Sequence, residues 1–177
     1  MAFSKVMLFL FLLMLLTMES KADVATQDDL SVDFLSLVRA AEAGDFYSVK
    51  YLLENRKIDP NGYASTAGSM LAQVANNYLR PIQVASREGN YEVVKLLLEQ
   101  GANPDWCCCE CTTALHYALE NKHEKIANIL IERGANIELP FFGKDKEYSC
   151  LELAKKHSLQ STVTLLIKSK RRSIKGN

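Results

Sequence analysis

The feature that most constrains this chain is an internal repeat. The segments GNYEVVKLLLEQGANP (residues 89–104) and KHEKIANILIERGANIE (residues 122–138) place Gly-Ala-Asn at Gly101 and again at Gly134, 33 residues apart. A fixed period of this length is typical of repeat solenoids, in which each unit is a turn plus a pair of helices that cannot bury its apolar face alone. The chain is therefore predicted to form a stack of similar units, with its function on the surface of the stack and not in a buried catalytic pocket.

Four copies of the unit are visible. A small residue marks the first helix of each copy at Ala40, Ala85, Ala118 and Ala154. After each of these residues, apolar side chains recur at helical spacing, so that each unit presents one stripe to its partner helix and to the next unit. The pattern predicts an all-α solenoid of about four helix pairs. The predicted repeats lie near residues 33–62, 79–106, 112–139 and 148–168, with an insertion at 62–79.

The motifs of these units resemble those of the ankyrin-repeat family. The family's Thr-Pro-Leu-His opening appears as Thr113-Ala114-Leu115-His116, as Arg80-Pro81-Ile82-Gln83 and, in a weaker form, as Ser149-Cys150-Leu151-Glu152. Its closing Leu-Leu-x-x-Gly-Ala motif occurs at residues 97–102 and 130–135. The resemblance covers about residues 33–168, and it implies β-hairpin-like finger loops between the repeats.

The resemblance also implies a protein-binding surface, made by the finger tips and the exposed, concave side of the first helices. Aromatic residues on loops held by a rigid scaffold are typical binding anchors, although such rings also fold back over their own hairpins. The mixed polar and aromatic strip suits another protein better than a small molecule. Carried over position by position, the surface comprises Arg87, Glu88, Trp106, Glu110, Thr112, Glu120, Asn121, Phe141, Phe142 and Tyr148.

The first 22 residues have the pattern of a secretory signal peptide. Lys5 precedes an unbroken apolar run at 6–16, and Ser20-Lys21-Ala22 matches a cleavage site. The rival interpretation is a membrane anchor, but the stretch from Val6 to Met18, about 13 residues, is shorter than the roughly 20 that a span needs. Cleavage would leave a linker at 23–32, no stable membrane insertion, and a secreted or otherwise extracytoplasmic protein, periplasmic in a bacterium.

The charge of the chain disfavours nucleic acid as a partner. Loss of Lys5, Glu19 and Lys21 leaves 19 basic and 20 acidic residues. Five of the basic residues lie between Lys168 and Lys175, so the remaining body has a net charge near −6. An acidic body with a short basic tail at 169–177 is a poor nucleic-acid binder.

The five cysteines are unevenly placed. Four lie at Cys107, Cys108, Cys109 and Cys111, and Cys150 stands alone. In an exported chain they predict at least one disulfide, with one thiol left over. Zinc is disfavoured, since four cysteines within five residues do not easily close around one ion. Pairing of Cys111 with Cys150 is attractive because neighbouring fingers lie side by side. It needs Cα atoms within about 7 Å, while equivalent positions of adjacent repeats lie about 10 Å apart, a distance that the offset between these two positions could shorten.

No catalytic constellation is recognisable. The resemblance gives His116 a hydrogen-bonding role between repeats, His123 occupies a helix-to-helix turn, and His157 beside two lysines is expected to face water. No serine or cysteine has a histidine and a carboxylate at a recognised spacing. We therefore expect a monomeric, non-enzymatic binding protein without cofactor or metal. The alternatives are a thiol- or metal-handling protein that uses Cys107–Cys111, and a secreted microbial effector that acts on host proteins.

Overall fold

The computed structural model describes residues 33–62, 79–107, 112–143 and 146–175. The predicted signal peptide, the linker at 23–32 and residues 63–78 of the insertion lie outside these ranges. The described chain forms four helix pairs. They are α1 (33–43) with α2 (Phe46–Glu54), α3 (Pro81–Glu88) with α4 (Tyr91–Glu99), α5 (Ala114–Glu120) with α6 (Glu124–Glu132), and α7 (Cys150–Lys156) with α8 (Gln160–Lys175).

The helix pairs stack side by side. The first helices α3, α5 and α7 contact one another in order, and so do the second helices α2, α4, α6 and α8. One continuous apolar core runs between the two rows, from Phe34 to Leu166. Leu97 and Leu130, at equivalent positions of the two central repeats, are completely buried. The predicted all-α solenoid is therefore confirmed.

The last helix is longer than the sequence pattern indicated. α8 has 16 residues, whereas α2, α4 and α6 have nine each. The segment 169–177, expected to be a tail outside the repeats, continues α8 as far as Lys175. The Lys170 ammonium lies 3.4 Å from a carboxylate oxygen of Glu138. This contact links the extension to the third finger, the loop that joins α6 to α7. None of the described helices has the length and apolar character of a membrane span.

The turns between paired helices are fixed by contacts from the next repeat. Gly89 has a φ of +86°, and the ring of His123 lies 2.6 Å from the point where a Cβ would stand. Nε2 of His123 donates a hydrogen bond to the carbonyl of Arg87 over 3.0 Å. At the preceding turn, Asn90 donates to the carbonyl of Ala41 over 2.8 Å in the same way. Glycine is needed at these turns both for its backbone conformation and for the space it leaves.

The fingers are joined by a ladder of side-chain to backbone hydrogen bonds. The Asn61 amide oxygen accepts from the backbone N–H of Asn103 over 2.7 Å, and the Asp105 carboxylate accepts from that of Asn136 over 2.7 Å. Among the described residues, strands occur in the third finger, where β1 (Phe141–Phe142) and β2 (Glu147–Tyr148) pair antiparallel with Phe141 opposite Tyr148. The ladder holds the three fingers in one register.

Candidate functional site

The second finger, which joins α4 to α5, and the third finger, which joins α6 to α7, are each fixed at the base by the third residue of a first helix. Nδ1 of His116 accepts from the backbone N–H of Thr113 over 3.1 Å, so Nε2 carries the proton and donates to the carbonyl of Leu139 over 3.0 Å. Gln83 plays the same part in the second repeat and donates to the carbonyl of Thr112 over 2.7 Å. His116 is completely buried. It is therefore a structural hydrogen-bonding residue, and not a candidate for proton transfer with a substrate.

Charged residues line the ends of the first helices. The Arg87 guanidinium bonds to Glu88 over 2.7 Å and to Glu42 of the preceding repeat over 3.1 Å. Glu120 and Asn121 are exposed at the equivalent end of α5. Ion pairs as exposed as these contribute little to stability. The side chains at these helix ends therefore remain available for contacts with a partner.

The third finger presents one aromatic ring to solvent and buries the other. Phe142 is 53 % exposed, whereas Phe141 is 8 % exposed and packs against the ring of His116 at 5.6 Å between centroids. Neighbouring residues of a strand point to opposite faces, which explains the difference. Of the two phenylalanines expected as anchors, only Phe142 is placed for contact with a partner.

Tyr148 joins this finger to the end of α7. The ammonium groups of Lys146 and Lys156 lie 4.6 Å and 4.8 Å from the centroid of its half-buried ring. Lysines at this distance are attracted to the π face of the ring. The resemblance also assigns Lys146 and Lys156 to the partner-binding positions, but their shared contact with Tyr148 depends on the fold of the hairpin.

Trp106 of the second finger is half-buried and stacks on a buried cation. The Arg80 guanidinium carbon lies 4.1 Å from the centroid of the tryptophan ring and 5.6 Å from that of Phe34 in α1. Arg80 also donates to the carbonyl of Gly62. Sequence reasoning did not single out Arg80, although an arginine at the threonine position of the opening motif was a usable signal.

Two further residues of the predicted surface are not placed on it. Thr112 is buried and Glu110 lies outside the described residues. The exposed and half-exposed residues that remain, apart from Trp106, form what we call the finger-helix surface. Its members are Arg87, Glu88, Glu120, Asn121, Phe142 and Tyr148.

His157 at the end of α7 is partly buried and does not simply face water as expected. Its Nε2 is enclosed and has no hydrogen-bond partner among the described residues. Burial lowers the pKa of His157 below its ordinary value, and the nearby charges of Lys122 and Lys156 lower it further, against a smaller opposing effect of Glu120. The neutral form of the ring is therefore favoured at the end of α7, which packs beside α5.

The two described cysteines do not form a reactive pair. Cys150 is buried, is not part of a disulfide, and lies with its Sγ 3.7 Å from the carbonyl oxygen of Leu139. Burial raises the pKa of the Cys150 thiol to about 12. Cys108, Cys109 and Cys111 lie outside the described residues, so a disulfide among the cysteines stays a prediction. Within the described ranges, no group of three histidine, cysteine or acidic side chains is placed to hold a metal ion.

Comparison with known proteins identifies the repeats. A family model for ankyrin repeats, three copies long, matches residues 37–141 and again 82–175. A putative ankyrin repeat protein of fowlpox virus, FPV014, is 30 % identical over 133 residues, which are 75 % of this chain and 28 % of the viral protein. A second one, FPV222, is 39 % identical over 80 residues, which are 44 % of this chain and 10 % of that protein. The dynein axonemal heavy chain 12 of Bos taurus is 37 % identical over 110 residues, 60 % of this chain and 26 % of that protein.

A solved structure has a related fold. A chain in the complex of the Bd0816 predatory endopeptidase from Bdellovibrio bacteriovorus with the immunity protein Bd3460 superposes with a TM-score of 0.62 and 29 % sequence identity. The match covers 77 % of this chain and 64 % of that chain. The chain therefore spans about a quarter or less of the three curated relatives and somewhat under two thirds of the structural neighbour.

Proposed function

Because the chain belongs to the ankyrin-repeat family, we propose that it is an exported protein that binds a partner protein through the finger-helix surface and catalyses no reaction. Ankyrin repeats are in general protein-protein interaction modules. The related chain of known structure also comes from a complex of two proteins. The step from the family to this particular surface rests on the residues that the surface exposes.

The observation that carries the proposal is the exposure of Phe142 on a rigid support. Its ring is 53 % exposed, while the neighbouring Phe141 is anchored in the core against His116. The strand pair holds the backbone of Phe142 in place, so little side-chain and loop freedom remains to be lost on binding. An aromatic ring presented in this way is the usual centre of a binding hot spot.

The charged residues near Tyr148 and at the ends of the first helices favour a protein partner that carries both signs of charge. Lys146 and Lys156 both lie against the ring of Tyr148, and Glu88 and Glu120 lie at the ends of the neighbouring first helices. Both signs of charge thus lie on one surface. Such a surface suits a partner that pairs acidic groups with the lysines and basic groups with the glutamates, and it gives specificity more than raw affinity.

The described residues offer little for catalysis. The buried His116 has both ring nitrogens engaged in hydrogen bonds, and the high pKa of the Cys150 thiol leaves it protonated at neutral pH. A thiolate and not a thiol is the nucleophile and the metal ligand. Cys150 is therefore poorly suited to thiol or metal chemistry. The thiol- or metal-handling alternative uses Cys107–Cys111, most of which lies outside the described residues.

Export is part of the proposal and rests on residues 1–22. The lysine, the apolar run and the small residues before Asp23 match the three parts of a signal peptide. The polar residues of the finger-helix surface are compatible with contacts outside the cytoplasm. The partner is accordingly sought among extracytoplasmic proteins.

The test compares partner capture by two exposed aromatic variants. Phe142→Ala removes the central ring of the surface, and Tyr47→Ala removes a more exposed ring on α2, away from the fingers. We expect Phe142→Ala to weaken binding to the captured protein by about 2 kcal/mol or more, and Tyr47→Ala to leave it unchanged. Both variants should keep the melting temperature of the parent chain, since neither ring is buried. Equal affinity of the two variants would remove Phe142 from the site and contradict the proposed surface.

A further inference from the structure

The first repeat exposes side chains at positions that the inner repeats bury. Tyr51 lies seven residues after the turn residue Gly44 and is 56 % exposed. Leu96 and Ile129 occupy the same position in the next two repeats, and each is 7 % exposed. The inner side chains are covered because another helix pair precedes theirs. Tyr51 therefore marks a stacking face on which no described helix packs.

Tyr47, which is 83 % exposed, belongs to the same face. Its counterpart in the last repeat is Ser161, whose hydroxyl accepts a hydrogen bond from Asn128 of the preceding helix pair over 2.8 Å. The position thus lies at the rim of the contact with the preceding repeat, and in the inner repeats it holds the exposed charged residues Glu92 and Lys125. Around the two tyrosines lies an open groove of about 540 Å³. We call it the N-terminal face, and its lining consists of Ser36, Arg39, Ala40, Tyr47, Ser48, Tyr51 and Leu52.

The last repeat is open on the opposite side. Ile167 is 37 % exposed, whereas its counterparts Leu53 and Ile131 are 5 % and 6 % exposed. Leu151 is partly exposed, while its counterpart Leu115 is fully buried. Ile167 lies in a groove of about 440 Å³ along α8. We call this the C-terminal face, and its lining consists of Thr164, Ile167, Lys168, Arg171 and Arg172.

The two faces have complementary chemistry. One carries two exposed tyrosine rings beside the exposed Arg39, and the other carries an isoleucine among three cationic side chains that make no ion pair with another described residue. Guanidinium groups stack on the faces of aromatic rings, and the methylene stems of arginine and lysine cover apolar surface. Tyrosine and arginine are also enriched in protein-protein interfaces. Three of the four large apolar side chains exposed in the described residues lie on these two faces.

We propose that these faces bind each other between copies of the chain, so that the N-terminal face of one molecule stacks on the C-terminal face of the next. The contact continues the packing of α2 on α4 and of α6 on α8 from one molecule to another. Two different faces of the same chain make a heterologous contact, which generates open chains of molecules or a ring. The monomer expected from the sequence would be the low-concentration form.

A membrane surface fits the C-terminal face less well. An interfacial helix needs a broad apolar face, commonly with tryptophan or phenylalanine. On α8, Leu166 is turned into the core and is 3 % exposed, which leaves Ile167 as the large apolar residue of the groove. One isoleucine among cations suits an aromatic protein face better than the interior of a bilayer.

The test uses one variant on each face. Tyr47→Lys places a cation opposite the basic face, and Ile167→Lys replaces the apolar centre of that face. Sedimentation velocity across a concentration series should show the mass of the parent chain rising from monomer to dimer and longer species. Each variant alone should need at least about tenfold higher concentration to associate. Gln100→Lys, at the exposed end of α4 and outside both faces and the finger-helix surface, is the matched control and should associate like the parent.

The decisive measurement mixes the two variants. Each retains one intact face, so an equimolar mixture should form a one-to-one dimer and nothing longer, because the two remaining faces are both altered. A parent chain that stays monomeric at all concentrations overturns the proposal. A mixture that forms no dimer also overturns it, since this outcome indicates a symmetric contact. Association that neither substitution weakens overturns it as well, because aggregation through the apolar run at 6–16 would behave in this way. A membrane is tested with vesicles of three parts phosphatidylcholine and one part phosphatidylserine. If the parent chain does not self-associate but binds these vesicles, and only Ile167→Lys loses that binding, the C-terminal face is assigned to a membrane instead.

Discussion

The guanidinium carbon of Arg80 lies 4.1 Å from the ring centroid of Trp106, and Arg80 is only 7 % exposed. Trp106 belongs to the finger of the second repeat, while Arg80 precedes the first helix of that repeat. The contact therefore closes the finger over its own helix. Because Arg80 also contacts Phe34, it joins the first two repeats across the insertion.

This contact predicts that Trp106 contributes to stability. Trp106→Ala and Arg80→Met should each lower the free energy of unfolding, and the double variant should lose about 1 to 2 kcal/mol less than the sum, since a desolvated cation-π contact is lost only once. Chemical denaturation of the four proteins measures the coupling. Arg80→Met combined with Phe142→Ala is the control pair and should be additive. Additivity of the Arg80 and Trp106 changes would return Trp106 to the list of candidate partner contacts.

The fold was predictable because its determinants are local and recur. Apolar spacing, the Gly-Ala closing motif and the turn glycines repeat within about 33 residues. The surface was predicted less completely. Which of Phe141 and Phe142 faces solvent depends on strand pairing with β2, and the contact of Arg80 with Trp106 joins residues on either side of a helix pair. Tyr51, in contrast, stands where the other repeats have leucine or isoleucine, so comparison of equivalent positions was a usable signal for an open end face.

Replacement by alanine should destabilise the protein more at Gly89 than at Gly101, although the two glycines have similar backbone angles. Gly89 and Gly101 have φ values of +86° and +83°, but a Cβ at Gly89 would meet the His123 ring at 2.6 Å, whereas nothing lies within 4 Å of one at Gly101. In both alanine variants the left-handed backbone should lower the free energy of unfolding by about 1 kcal/mol. Gly89→Ala should cost about 1 kcal/mol more, because it also displaces His123 from the carbonyl of Arg87. Denaturation curves that place the two variants at equal stability would contradict this role of His123.

Export predicts a defined mature end. If residues 1–22 form a cleaved signal peptide, the protein recovered outside the cytoplasm should begin at Asp23, because Ser20 and Ala22 are the small residues that the cleavage site requires. N-terminal sequencing or intact mass measurement identifies the end. Ala22→Arg, which blocks the small-residue site, is the matched variant and should leave the precursor uncleaved. An exported protein that keeps Met1, or a wild-type chain found only in the cytoplasm, would contradict the proposed localisation.

Burial of Cys150 predicts a pH dependence of stability in the alkaline range. The pKa of its thiol rises from 9.0 to about 12 on folding, so the folded state holds the proton more tightly than the unfolded state. The stabilising effect is therefore fully present below pH 9 and is lost as the pH rises from about 9 towards 12, by about 1.4 kcal/mol per pH unit. Cys150→Ala lacks this titration but keeps the lysines and tyrosines that also titrate at high pH. With a reductant present, the difference in free energy of unfolding between the wild-type chain and the variant should be constant from pH 7 to 8.5 and should shift against the wild type above pH 9. A difference that stays constant up to pH 10.5 would show that the thiol ionises as easily in the folded protein as in the unfolded one. Cys150 would then be accessible to redox chemistry, contrary to what its burial predicts.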